Sequence, residues 1–221
     1  MDHFHEVEMK TLLTTSTLAL GLALPVTAMA QDFSLSAGAT LTSRYVASGI
    51  EQTSGAAFQP WIEAEASGFY FGLWASNTST AITGGKFELD VYAGYRNEVG
   101  KVSYDVGYAR YLYYKPHSNC CGEWYVGLGF APTDQLGLGV KFNYDPATDT
   151  VNSKLSVDYA VTDAFGLSAA VGTINNGGRD YYSVGASYAI NDTLSISAAW
   201  HDTSVSKGLA VVSLDTSFSL R

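Results

Sequence analysis

Charge is scarce in this sequence. Only 15% of its 221 residues are Asp, Glu, Lys or Arg, against about 25% in a typical soluble domain. What charge exists leans negative, with a net of −9. No run of Lys or Arg is present to meet phosphates, which argues against a nucleic-acid partner. Long apolar runs are also missing. After residue 30 nothing approaches 18 uninterrupted apolar residues, so no second spanning helix is expected. If the mature chain lives in a membrane, it must cross as a closed barrel, because only helices and barrels satisfy their own backbone in lipid. Cysteine is confined to Cys120 and Cys121.

What is plentiful is tyrosine (15) and glycine (22). An export signal opens the chain. Met9-Lys10 precedes an apolar run from Thr11 to Thr27, and Ala28-Met29-Ala30 forms a small-x-small cleavage site before Gln31. We expect residues 1–30 to be removed, with translation starting at Met9, and 31–221 to form the mature domain. Asp2, Glu6, Glu8 and Lys10 leave with the signal, which takes the net charge from −9 to −7.

The mature chain alternates with a period of two. In Phe87 to Tyr114, Phe87, Leu89, Val91, Ala93 and Tyr95 interleave with Glu88, Asp90, Tyr92, Gly94 and Arg96. That is a strand pattern. Twelve such segments are counted, at 33–42, 57–66, 69–76, 87–96, 101–112, 124–131, 136–144, 151–161, 165–173, 181–190, 194–201 and 209–219. Their lengths suit the roughly 9–11 residues of a tilted membrane strand. Short connections (67–68, 97–100, 132–135, 162–164, 191–193) alternate with longer ones (43–56, 77–86, 113–123, 145–150, 174–180, 202–208). The expected fold is an all-β, up-and-down transmembrane antiparallel barrel of about twelve strands. A secreted sandwich also alternates. Its wet face, however, is normally rich in long charged side chains, whereas the second row here is mostly Gly and Ser. That suits the inside of a narrow tube, with the apolar row facing lipid.

The stretches Ser43 to Gly55 (SRYVASGIEQTSG), Ser67 to Ser79 (SGFYFGLWASNTS), Phe87 to Tyr114 and Gly122 to Phe130 (GEWYVGLGF) resemble the TorF-type porins, a proteobacterial family of exported barrels. The likeness is strongest over 43–130. It implies an outer-membrane location, a porin-like role, and lipid, lipopolysaccharide and the barrel-assembly machinery as partners. The chain departs from barrels of this kind in ending Phe218-Ser219-Leu220-Arg221, with the aromatic displaced from the terminus, and in its paired cysteines.

Alternation places Glu63, Glu65, Glu88, Asp90 and Asp105 in the lumen, with Asp158 and Asp215 further round and Arg96, Lys141 and Lys154 as bases. A carboxylate-rich lumen concentrates cations. The same charges can instead pair and fill the tube, since twelve strands lie between barrels that side chains fill and barrels that hold a channel. Tyr70, Trp74, Tyr92 and Tyr125 point inward too, as a sliding surface for solutes or as packing tied to the carboxylates. Cys120 and Cys121 are expected to form a loop disulfide or to stay as thiols. Adjacent Cα atoms stand about 3.8 Å apart, so a bridge between them is strained. His117 nearby adds only a weak metal signal. His201 and Ser197 are four residues apart on one strand, roughly 13 Å, so no nucleophile–base pair is expected. The expected function is passive diffusion of small solutes with mild cation preference and no cofactor or catalysis. The alternative is a closed barrel with a structural, adhesive or stress role.

Overall fold

The computed structural model describes residues 33–114, 118–176 and 178–221, with backbone alone at 118–120. The expected signal segment and His117 lie outside the described residues. The strands are β1 (Ser34–Thr42), β2 (Val46–Ala47), β3 (Ile50–Glu51), β4 (Ala57–Ala66), β5 (Phe69–Asn77), β6 (Phe87–Val99), β7 (Val102–Tyr114), β8 (Ser118–Thr133), β9 (Leu136–Asp145), β10 (Thr150–Ala160), β11 (Phe165–Ile174), β12 (Arg179–Asn191), β13 (Leu194–Thr203) and β14 (Ser206–Ser219). One short helix, α1 (Thr80–Thr83), interrupts them. Twelve of the strands close into a single antiparallel barrel, ordered β1-β14-β13-β12-β11-β10-β9-β8-β7-β6-β5-β4. Closure joins β1 to both β4 and β14, from Ser34↔Glu65 on one side to Ser36↔Ser219 on the other.

The outward row is apolar and exposed around the whole ring. Val126, Leu138, Leu155, Val171, Val184 and Ile196 are among the exposed large hydrophobics. In water such a continuous apolar belt would be untenable, whereas in a bilayer lipid is its solvent. Aromatic residues border the belt at both ends. Phe69, Tyr159, Phe165 and Tyr188 lie at the short-turn end, and Phe87, Trp124, Phe142 and Trp200 at the other. This is the girdle arrangement of membrane barrels. Among the described residues no helix is long and apolar enough to cross a membrane.

Turn chemistry fixes the short end. Ser67 (φ 52) and Gly68 (φ 83) form a two-residue turn between β4 and β5, the left-handed pair that matches strand twist.

At the opposite end the strands run further than the alternation indicated. Most of 113–123 is strand, with β7 reaching Tyr114 and β8 starting at Ser118. β12 starts at Arg179 and β14 at Ser206, so the expected loops 174–180 and 202–208 shrink to a few residues. The tyrosine-rich edge of this region breaks the apolar–polar rhythm while still favouring extended backbone.

Candidate luminal site

The lumen is unevenly filled, and the cause is a repeated cross-strand pair. Trp61 faces Gly38, Tyr92 faces Gly72, Tyr70 faces Gly94, Tyr125 faces Gly107 and Tyr181 faces Gly172. In each pair the ring lies over the glycine, so that an added Cβ would run into it. Glycine opposite an aromatic ring lets the ring lie flat on the strand, a known device for covering backbone in sheets. Four of the five pairs fall between β1 and β8. Tyr70, Tyr92, Ala109 and Tyr125 there form a buried cluster against which Trp74 and Tyr111 pack. The opposite wall, β9 to β13, carries mostly small side chains, interrupted by Lys141, Lys154, Asp158, Tyr181 and His201 on the same inward rows. Gly137, Ser156, Ser168, Ser183 and Ser197 face inward and remain half-exposed. Gly137 illustrates the open space, because the nearest atom to an added Cβ is Asp158 Cβ at 3.9 Å. The tube is thus packed on one side and reached by solvent on the other.

The packed side ties up most of the expected charges. Arg96 Nη2 donates to Glu63 Oε1 at 2.5 Å, and its Nε lies 3.3 Å from Glu65 Oε2. The same guanidinium stacks 3.9 Å above the Tyr70 ring. Tyr70 donates to Asp105 Oδ1 at 2.5 Å and exchanges a 2.6 Å hydrogen bond with the Tyr125 hydroxyl. The Tyr92 hydroxyl reaches Glu63. Lys141 Nζ sits 4.5 Å from the Tyr125 ring centre. Tyr70, Tyr92 and Tyr125 are thus buried, with their hydroxyls in the carboxylate network. Lys141 is the register partner of Lys154 on the open side, and Asp158 lies within electrostatic reach of Lys154. Asp215, further round, accepts from Thr40 and Ser197.

A second acidic group stands apart. Glu88 and Asp90 are 3% and 0% exposed. Glu88 Oε1 accepts from Tyr113 at 2.7 Å, while its Oε2 and both oxygens of Asp90 have no hydrogen-bond partner among the described residues. Glu123, not among the acids expected in the lumen, joins them. Its Oε2 accepts from Tyr111 at 3.0 Å and from Asn143 at 2.7 Å. The five acids expected in the lumen, Glu63, Glu65, Glu88, Asp90 and Asp105, thus resolve into two groups, one held by Arg96 and one with no ion-pairing base among the described residues. Trp61, on the inward row of β4, and Arg179, from the expected loop 174–180, are further luminal residues.

The segment 43–56, expected as a surface loop, folds inward instead. β2 and β3 pair through Val46↔Glu51 and Ala47↔Ile50 around the positive-φ turn Ser48-Gly49. Tyr45 and Val46 are buried, which explains the reversal, since an apolar pair gains more inside the lumen than at a wet rim. The Tyr45 ring meets Trp74 edge-on at 5.4 Å. The tip crosses to the far wall, where Asn152 Nδ2 donates to Ser48 Oγ at 2.9 Å and Arg179 Nε to the Ser48 carbonyl at 3.0 Å. Gly49 lies so close to Tyr181 and Thr203 that a Cβ would stand 2.7 and 3.1 Å from theirs.

Cys121 is disulfide-bonded, and the Cys120 side chain lies outside the described residues. Among the described residues no group of three His, Cys, Asp or Glu is placed to hold a metal ion.

Comparison with known proteins fits this architecture. A KdgM porin superposes with a TM-score of 0.64 at 11% identity, covering 84% of this chain and 99% of its own. The KdgM porin in complex with disordered oligogalacturonate superposes with a TM-score of 0.62, also at 11% identity, covering 85% and 99%. At this identity the likeness is one of fold. It supports the fold that the TorF resemblance implies, a closed antiparallel β-barrel. No curated protein matches the sequence. The family model that matches, over residues 27–217, is described as "Bacterial protein of unknown function (Gcw_chp)", and it does not carry the TorF name.

Proposed function

Because the chain belongs to the Gcw_chp family of bacterial proteins of unknown function, we propose from its own geometry that it is an outer-membrane channel for passive diffusion of small hydrophilic solutes. The carrying observation is the asymmetric lumen, with tyrosines packed against β4 to β8 and a half-exposed Gly/Ser wall along β9 to β13. A solute would pass along that wall, beside Lys141, Lys154 and Asp158. That a barrel of this fold is found with an oligogalacturonate supports hydrophilic solutes as the class. The reading is non-enzymatic.

Mild cation preference is part of the proposal. The luminal carboxylates Glu63, Glu65, Glu88, Asp90, Asp105, Glu123, Asp158 and Asp215 outnumber Arg96, Lys141, Lys154 and Arg179. Charges act over a screening length of about 8 Å at physiological salt, so acids on the packed side bias the ions that pass within that reach. Replacing Glu88 by Gln and Asp90 by Asn together should shift the reversal potential under a KCl gradient toward anions. An unchanged potential would place these acids outside the ion path.

A second reading has its own observation in support. The tyrosine cluster and the inward hairpin together fill much of the cross-section, as in a closed barrel that works through its surface loops. Liposome swelling in a pentose separates the two. Protein-dependent swelling supports the channel, and swelling no faster than protein-free liposomes supports the closed barrel.

A further inference from the structure

The group around Asp90 is built for a guest. Asp90 is the direct cross-strand partner of Trp74 on β5 and of Tyr111 on β7, so an aromatic side chain flanks it on either side. Glu88 lies two residues away on the same row, and Glu123 is within electrostatic reach. Three carboxylate oxygens, Asp90 Oδ1, Asp90 Oδ2 and Glu88 Oε2, are buried without a hydrogen-bond partner among the described residues. Among the described residues no Lys, Arg or His forms an ion pair with Glu88, Asp90 or Glu123. Buried acceptors of this kind are costly unless a positive donor meets them.

The chemistry of that donor follows from the site. A metal ion needs its ligands gathered within a short coordination sphere, and no group of acids here is so gathered. An ammonium group reaches further, carries three N–H donors and favours aromatic faces. Three orphaned oxygens beside Trp74 and Tyr111 match it. Tyr45 of the inward hairpin stands over this place, with its ring on Trp74 and its hydroxyl reaching Glu88.

We propose that Glu88 and Asp90, walled by Trp74 and Tyr111, form a luminal subsite for primary ammonium groups, capped by Tyr45. The proposal rests on the diffusion-channel reading, since the lumen is the route by which an amine arrives. A guest displaces the Tyr45 ring and places its nitrogen between the two carboxylates.

Calorimetric titration of the purified barrel in detergent at low salt tests this with putrescine as the probe. Saturable binding is expected. The bis-quaternary analogue 1,4-bis(trimethylammonio)butane, which keeps both charges but has no N–H, should bind at least tenfold more weakly, and butane-1,4-diol not at all. Asp90→Asn, close to isosteric, should weaken putrescine binding tenfold or more, and Glu88→Gln is the second variant with the same expectation. Tyr45→Ala should tighten binding several-fold, because no cap has to be displaced. Three results would overturn the site: no saturable heat in either the wild type or Tyr45→Ala, unchanged binding in both acid variants, or the bis-quaternary analogue binding as tightly as putrescine. Binding is read without current. A barrel that binds putrescine but passes no ions retires the channel and leaves the site, and a conducting barrel that binds none does the reverse.

Discussion

Two glycines on luminal rows should respond in opposite ways to the same substitution. At Gly94, a Cβ would stand 2.5 Å from the Val106 carbonyl oxygen and closer still to the Tyr70 hydroxyl. The carbonyl belongs to the β6–β7 ladder and cannot rotate away. Tyr70 cannot move without giving up its bonds to Asp105 and Tyr125. Overpacking of this kind costs about 1–3 kcal/mol. Alanine offsets part of that, because it loses about 0.5–1 kcal/mol less conformational freedom than glycine in an element interior. Gly94→Ala should therefore lose about 1–2 kcal/mol. At Gly137 nothing lies nearer than 3.9 Å, only the second effect operates, and Gly137→Ala should be neutral or slightly stabilising. Reversible urea unfolding of the barrel in lipid or detergent, followed by tryptophan fluorescence, reads both differences from the midpoints. Equal losses at the two positions would refute the claim that one side of the lumen is packed and the other open.

Leu155→Arg, on the lipid face, should destabilise the bilayer-inserted barrel by about 2–4 kcal/mol, whereas Ser156→Arg on the luminal face should cost far less. The same unfolding assay separates them. Arg96→Ala leaves Glu63 and Glu65 without their guanidinium and should cost about 3 kcal/mol, the low end for a buried pair because these side chains keep some exposure, with Arg96→Lys recovering only part because it lacks the planar fork. Replacing Asn152 and Arg179 together by Ala removes both donors that hold the hairpin tip. That variant should raise conductance while lowering unfolding stability by only about 1–2 kcal/mol.

The barrel itself was legible because a membrane strand carries its environment in every second residue. Phe87, Leu89 and Val91 against Glu88, Asp90 and Tyr92 were enough to assign both faces, and short turns such as Ser67-Gly68 divided the strands. The inward hairpin was not legible, because 43–56 has no sustained alternation. Its one signal was the apolar pair Tyr45-Val46 beside a Ser-Gly turn. The charge pairing was hidden for a different reason. Arg96 meets Glu63 from two strands away, so the partnership depends on register and strand stagger, which a linear pattern does not contain. The split of the lumen into packed and open sides depends likewise on which glycine each ring faces. Gly72, Gly94 and Gly107 look no different in sequence from Gly137.

The claim that solutes pass along the β9–β13 wall is tested most directly by single-channel recording in planar bilayers, comparing the wild type with Ser168→Trp. Ser168 faces inward on β11 opposite Asp158 and Gly185, where an indole would project into the solvent-reached half. Discrete, ohmic steps in KCl are expected from the wild type, falling by more than half in Ser168→Trp. Absence of steps in the wild type, or steps of equal size in both proteins, would contradict the account.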